Sequence, residues 1–208
     1  MTIAILAAAL ALALALTLAA TAARAQSIDG FGVGQDVQAA IAKHDPPTES
    51  GKLKDNDVYR WAIAGGTTAS VTAAPKTGKI IFIESDWGGD ANYAATDVPG
   101  LTFGATTLAD IRTKFGSNGF IFKQHALHMD AHDIISVNCY ALAADKKVAL
   151  AVVTTQAVAD LPEVDGKPQI DTGRGVLQAV ILADLAYLQT IWGKDRVADD
   201  KAHPIDWK

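Results

Sequence analysis

The sequence predicts an α+β fold made of two tandem units, each a helix followed by an antiparallel β-meander, with a C-terminal apolar helix packed on them. Three observations support this prediction. Twice along the chain, a segment with helical spacing precedes several segments with strand-like alternation. The two series repeat at an offset of about 70 residues. An apolar stretch, GVLQAVILADLAYLQTIWG, follows them.

The first unit is expected to span residues 26–98. In DVQAAIAKHDPP, Asp36 is suited to cap a helix and the prolines end it. After a polar stretch, TESGKLKDND, we expect strands at 58–65, 67–74 and 79–85. Pro75 and Gly78 suit a tight turn between the last two strands, which indicates an antiparallel meander.

The second unit is expected to span residues 99–156. A helix is predicted in TTLADIRTKFG, because Leu108, Ile111 and Phe115 share one face, a threonine precedes them and Gly116 ends the run. Alternation and turn residues then predict strands at 120–128, 134–142 and 148–155.

The last region, residues 157–208, is expected to hold a connection and then the apolar helix. Residues 157–174 contain Pro, Asp and Gly without a clear period. The stretch that follows is apolar on most sides, so a helix there must be covered by both units. A break near Asp184 would give two shorter pieces, and Gly193 is the expected end.

The N-terminus has the features of a secretory leader. No charged residue occurs from Thr2 to Ala23, and Ala23-Arg24-Ala25 is a small-x-small cleavage site. We expect a signal peptide at 1–25, cleavage after Ala25 and a periplasmic or secreted protein without a transmembrane span. The alternative is an uncut run that serves as an N-terminal membrane anchor, since about 22 apolar residues can cross a bilayer.

Charge and cysteine content exclude several classes of protein. Without the leader the chain has 17 basic and 23 acidic residues, a formal charge of −6. Binding to nucleic acid or to an anionic membrane surface needs clustered Lys and Arg, so neither is expected. The single cysteine, Cys139, cannot form an internal disulfide. It lies in an alternating apolar run, which indicates a buried strand residue.

The run TLADIRTKFG, from Thr107 to Gly116, has a capping threonine, apolar residues four apart and a closing glycine. The segment from Asp36 to Pro47, followed by Tyr59-Arg60-Trp61, has a similar order. Both resemble the SmpA/OmlA (BamE-type) family of small periplasm-facing proteins. This resemblance implies a helical segment packed on a three-stranded antiparallel sheet. A tandem pair of such units resembles the β-lactamase inhibitor proteins, which implies a sheet surface that grips another protein.

The expected function is therefore that of an exported, non-enzymatic binding module. No Gly-x-Ser-x-Gly elbow and no Ser-x-x-Lys nucleophile occurs in the sequence. We expect no cofactor, and a protein or another envelope component as partner, bound through a sheet face or the 86–99 loop. Aromatic side chains often anchor such contacts, and the candidates are Tyr59, Trp61, Trp87 and Tyr93.

Two alternatives come from other classes. The stretch QHALHMDAHD contains His125, His128, Asp130 and His132, which are suitable ligands for zinc or another divalent ion if the strand continues through them. A metal-binding protein or metal-dependent enzyme would follow. If the strand ends instead, the stretch is the turn of a hairpin. The second alternative is a carrier of an apolar small ligand, held in a cavity under the C-terminal helix.

One further stretch, ESDWGGD, is acidic. Glu84, Asp86 and Asp90 offer carboxylates for a calcium ion, although their spacing is not that of an EF-hand. The other interpretation is a solvated acidic loop.

Overall fold

The computed structural model of the chain describes residues 26–129, 131–165 and 167–207. The predicted signal peptide at 1–25 and Asp130 lie outside the described residues. In the described part, the α-helices are α1 (Val37–Ile41), α2 (Leu108–Phe115) and α3 (Leu185–Trp192). None of the helices in these ranges is long and apolar enough to cross a membrane.

β-strands form most of the regular secondary structure. Their bounds are β1 Glu49–Leu53, β2 Asn56–Ala62, β3 Thr68–Ala73, β4 Ile80–Asp86, β5 Phe120–Phe122, β6 Leu127–Met129, β7 Asp133–Ala141, β8 Val148–Ala157, β9 Glu163–Val164, β10 Lys167–Pro168, β11 Val176–Asp184 and β12 Arg196–Ala198. The main sheet has the order β1-β2-β3-β4-β11-β8-β7-β5-β12, with β6 also paired to β7. Its strand pairs are antiparallel. The fold is therefore α+β.

The predicted helix starts are confirmed at both sites. The Asp36 carboxylate accepts a hydrogen bond from the Ala39 N–H, at 3.0 Å, at the start of α1. At α2, Thr107 and Asp110 form a reciprocal capping box. Gly116 ends α2 in the left-handed region, with φ of 66°, as a C-terminal glycine does.

Strand β1 lies in the polar stretch for which no strand was predicted. All five of its residues are exposed. Because it is an edge strand without a buried face, its sequence has no alternation of apolar and polar residues. It extends the first meander from three strands to four, through a hairpin with β2.

The C-terminal apolar helix was predicted wrongly over its first half. Residues Val176–Asp184 form β11, a central strand between β4 and β8. A strand covered on both faces needs apolar side chains at nearly every position, so its sequence looks like that of a buried helix. β11 ends at Asp184, where the break was predicted. The Asp184 carboxylate caps α3 by accepting a hydrogen bond from the Tyr187 N–H at 3.0 Å.

The sheet lies between two apolar layers. On one face, α1, α2 and the N-terminal and C-terminal segments pack on side chains that include Val71, Ile83, Leu150 and Val180. On the other face, α3 covers β5, β7, β8 and β11 through Leu188 and Trp192, and its Tyr187 ring packs edge-on against Phe82 of β4, with centroids 6.0 Å apart. Cys139 is buried in this second layer, as its alternating run indicated.

The two helix-then-strand series join through β11 into one sheet with a shared core. The order of elements thus recurs, but two separate tandem units are not evident in the described part of the chain. Where the sequence shows two meanders, the structure has one sheet, because β11 supplies hydrogen bonds to the last strand of each.

Candidate functional site

Two of the four predicted aromatic anchors lie on the core side of β2. Trp61 is only 4% exposed, and its Nε1–H donates to the Asp45 carbonyl at 2.7 Å. Its ring packs on Phe31, with centroids 4.6 Å apart. Tyr59 is half-buried on the same side. Trp61 therefore stabilises the attachment of the segment after α1.

The other two aromatic residues lie in the loop after β4. Trp87 is half-buried and stacks on Phe103, with centroids 6.4 Å apart and planes 9° apart. Its indole N–H donates to the Asp90 carbonyl at 3.1 Å. Tyr93 is 49% exposed and is thus the one of the four with a large accessible ring.

The loop after β4 is docked against the turn between β2 and β3. A Cβ added to Gly88 would overlap the backbone of Gly66, and one added to Gly65 would overlap the ring of Tyr93. These two segments approach each other so closely that only glycine fits at the contact. They therefore form one continuous surface at the end of the sheet.

Beside that surface, the ends of β2, β3 and β4 that lie next to the 86–99 loop carry polar and small side chains on the face opposite the main core, whereas Phe82 further along this face packs in the second apolar layer. The register places Arg60 opposite Ser70 and Ser70 opposite Glu84, with Ala62, Thr68 and Asp86 in the next row. We call these six residues the outer face. They are exposed or half-buried, whereas Trp61, Ala69, Val71 and Ile83 on the opposite face are buried.

The electrostatics of the outer face centre on Glu84. Burial raises the pKa of its carboxyl to about 7, the Asp86 carboxylate acts in the same direction, and the Arg60 guanidinium opposes both. Burial also raises the pKa of Asp86. Near neutral pH, the Glu84 carboxyl is thus present in both forms and can either donate or accept a hydrogen bond.

The acidic stretch was noticed in the sequence, but the residues opposite it were missed. Ser70 of β3 pairs with Glu84, and Arg60 of β2 pairs with Ser70 and donates through Nε to its hydroxyl at 3.3 Å. The Asp90 carboxylate instead accepts a hydrogen bond from the Asn92 N–H, at 2.9 Å, in a short turn. The sequence did contain a signal for Arg60. It lies between Tyr59 and Trp61, and because alternate strand residues face opposite sides, its side chain is expected on the face away from these two aromatic rings.

The histidine stretch is divided between a strand and a turn. His128 lies in β6 opposite Ile135 of β7, and the strand ends at Met129. His132 lies in the turn before β7. His125 stacks on Trp192, with centroids 4.5 Å apart. Burial lowers the pKa of His125, and the charge of His128 acts in the same direction.

The continuous strand that the metal alternative needs therefore ends before His132. Within 26–129, 131–165 and 167–207, no three His, Cys, Asp or Glu side chains are placed to hold a metal ion. Asp130 is not among these residues, so the metal alternative stays a prediction.

A cleft of about 590 Å³ lies at the far edge of the sheet, beside β5 and β12. It is lined by Phe120, Lys123, Ala141, Lys194, Asp195, Arg196 and Ala198. The apolar carrier was expected to hold its ligand under a long C-terminal helix, but the first half of that segment is β11. The cleft is instead partly polar and open to solvent.

Comparison with known proteins gives little further information. No protein-family model matches the chain, and no curated protein matches it. Two solved structures have some likeness to it. One is an extracellular protein containing a SCP domain from Bacillus anthracis str. Ames, with 10% identity, 89% of this chain and 55% of that chain covered, and a TM-score of 0.49. The other is a cysteine-rich secretory protein from Staphylococcus aureus subsp. aureus Mu50, with 8% identity, 86% and 56% covered, and a TM-score of 0.47.

The chain thus spans about half the length of these two proteins. At such scores the likeness supports no inference about fold or function.

The resemblance to the SmpA/OmlA (BamE-type) family and to the tandem β-lactamase inhibitor proteins was wrong. No family model matches the chain, and the two helix-then-strand series form one sheet through β11 instead of two separate helix-plus-sheet units. The physical reason is that the motif on which the resemblance rested is general. A capping threonine, apolar residues four apart and a left-handed glycine are what a short amphipathic helix needs in any family.

Proposed function

We propose that the protein is an exported, non-enzymatic binding module whose outer face and 86–99 loop contact a protein or another envelope component. One observation supports this proposal: α3 covers the second face of the sheet beside β5, β7, β8 and β11 and reaches β4 at Phe82, while the six residues of the outer face stay exposed or half-buried. The predicted leader at 1–25 supports export. The unit bounds 26–98, 99–156 and 157–208 also remain a proposal, supported by the recurring order of elements.

The chemistry of the outer face suits a polar partner. Hydrogen-bond donors and acceptors are offered by the hydroxyls of Thr68 and Ser70 and by the carboxyl of Glu84. Arg60 adds a permanent positive charge. Tyr93 adds an exposed aromatic ring at the end of the sheet. A rim of hydrogen-bonding groups with an aromatic contact is the usual composition of a protein-binding surface.

The test compares two threonines, one on the outer face and one away from it. Thr68→Arg places a bulky cation on the outer face, while Thr77→Arg places the same group in the exposed turn between β3 and β4. A photo-crosslinking amino acid at position 70 should capture an envelope component, which is then purified. We expect this component to bind the unmodified protein and the Thr77→Arg variant equally, and the Thr68→Arg variant at least about tenfold more weakly.

Equal binding of the component to both variants would show that the outer face is not the contact. A turnover of an ester, glycoside or phosphate substrate that one point mutation abolishes would overturn the non-enzymatic assignment.

A further inference from the structure

The cleft beside β5 and β12 is distinct from the outer face, since the two lie at opposite ends of the strand order. Its walls come from the ends of β5, β7 and β12. Gly193 ends α3 with φ of 91°, a conformation that suits glycine, and the chain then reverses into β12. This reversal places Lys194, Asp195 and Arg196 in the lining of the cleft.

The cleft is basic although the protein is acidic. Lys123, Lys194 and Arg196 line it against one carboxylate, Asp195, while the whole chain has a formal charge of −5. Between described residues, ion pairs within 4.0 Å join Lys52 to Asp57 and Arg60 to Glu49. In that part of the chain, the three cations of the cleft are therefore without an ion-pair partner.

The backbone holds the charges close together. Arg196 pairs with Phe122 in the β5–β12 ladder, and the Lys123 N–H donates to the Asp195 carbonyl at 3.0 Å. Lys123 thus lies across from Asp195, whose chain neighbours are Lys194 and Arg196. Lys123, Lys194 and Arg196 therefore lie at neighbouring positions of two paired segments, and all three line the cleft. Such a group suits a phosphate, which can accept hydrogen bonds from several donors at once.

Part of the lining of the cleft is apolar. It consists of Phe120, Ala141 and Ala198, which we call the floor, and the Arg196 guanidinium lies over the Phe120 ring, 5.3 Å from its centroid. This cation–π contact limits the positions of the guanidinium and lowers the entropy lost when it binds an anion. A volume of about 590 Å³ has room for an aromatic or aliphatic group beside the phosphate.

We propose that this cleft binds a small molecule or headgroup that carries a phosphate next to an apolar moiety. The phosphate contacts Lys123, Lys194 and Arg196, and the apolar moiety rests on Phe120. Asp195 repels the ligand and sets an upper limit on its affinity.

The test measures binding of three probes to the purified protein by isothermal titration calorimetry: phenyl phosphate, inorganic phosphate and benzyl alcohol. We expect phenyl phosphate to bind most tightly, because it alone uses both the cations and the floor. Arg196→Gln and Lys194→Gln should each weaken its binding by about tenfold, since a hydrogen bond to a charged group is lost. Asp195→Asn should strengthen its binding several-fold.

The control is Lys76→Gln, which removes one positive charge from the exposed turn between β3 and β4. It should leave the affinity unchanged. The proposal fails if phenyl phosphate does not saturate, if Lys76→Gln weakens binding as much as Arg196→Gln, or if Asp195→Asn has no effect. Asp195→Asn is expected to strengthen binding of phenyl phosphate and Arg196→Gln to weaken it. A loss of folding would weaken binding in both variants, so these opposite effects distinguish a binding site from unfolding.

Vesicles of phosphatidylcholine with and without phosphatidylglycerol identify the source of the phosphate. Recruitment that requires phosphatidylglycerol and is lost in Arg196→Gln would indicate a lipid headgroup. Binding of phenyl phosphate without recruitment would indicate a soluble phosphate ester.

Discussion

The side chain of Glu84 shows how a residue's environment, rather than its identity, decides its chemistry. Its carboxyl lies on the same side of β4 as Asp86 and across from Ser70. Burial and the neighbouring carboxylate both disfavour its ionised form, so its pKa rises from 4.5 to about 7. The folded protein consequently holds this proton more tightly than the unfolded chain does.

This difference makes the stability depend on pH. The contribution of the protonated Glu84 carboxyl to the free energy of unfolding is complete below about pH 4.5 and is lost as the pH rises through 7. In this range the unfolded chain releases a proton that the folded chain retains. The free energy of unfolding of Glu84→Gln does not depend on this titration. Relative to that of the unmodified protein, we therefore expect it to rise by about 2 kcal/mol as the pH goes from 5 to 8. Urea unfolding across that range measures the difference.

Glu163→Gln is the control for this experiment, because Glu163 is exposed in β9. Its free energy of unfolding should follow that of the unmodified protein at every pH. A difference between Glu84→Gln and the unmodified protein that does not change with pH would contradict the assigned protonation of Glu84.

At the scale of elements, β11 is the strand on which the sheet depends. It pairs with β4 on one side and β8 on the other, and Val180 is 0% exposed at its centre. The register shifts between Leu177 and Ala179, and Gln178 at this irregularity donates from its side chain to the Trp87 carbonyl at 2.8 Å. One polar residue in an apolar strand thus fixes the start of the 86–99 loop.

Two valines in different strands test this arrangement. Val180→Ala should lower the free energy of unfolding by about 2 kcal/mol, because it leaves a cavity that the rigid sheet cannot close. Val197→Ala in the edge strand β12, where the side chain is 46% exposed, should change it by less than about 0.5 kcal/mol. Chemical denaturation of both variants gives the comparison. Equal effects would mean that β11 is not a core strand.

At the scale of the molecule, the two helix-then-strand series share a sheet and a core through β11. Neither series can keep its structure once β11 is lost, since both β4 and β8 would then become open edges. The protein should therefore unfold in a single cooperative transition, with fluorescence and far-UV circular dichroism giving the same midpoint. Two separated transitions would instead support independent units at 26–98 and 99–156.

The parts of the candidate site differ in how far they could be predicted. The sequence indicated the acidic stretch of β4 and the 86–99 loop, because both are local in the chain. It could not indicate that Ser70 pairs with Glu84 and Arg60 with Ser70, since strand register depends on distant segments. Nor could it show that Trp61 is buried or that Lys123 lies opposite Asp195.

What the sequence alone determined are the elements with local signals: the capped helices α1 and α2, and the strands with alternating apolar residues. The carboxylate or hydroxyl of a cap and the side-chain alternation of a half-buried strand are set by residues a few positions apart. Only the tertiary structure decided that residues 176–184 are a strand. A run that is apolar throughout is compatible with a buried helix or a central strand, and the unpaired edges of β4 and β8 select the strand.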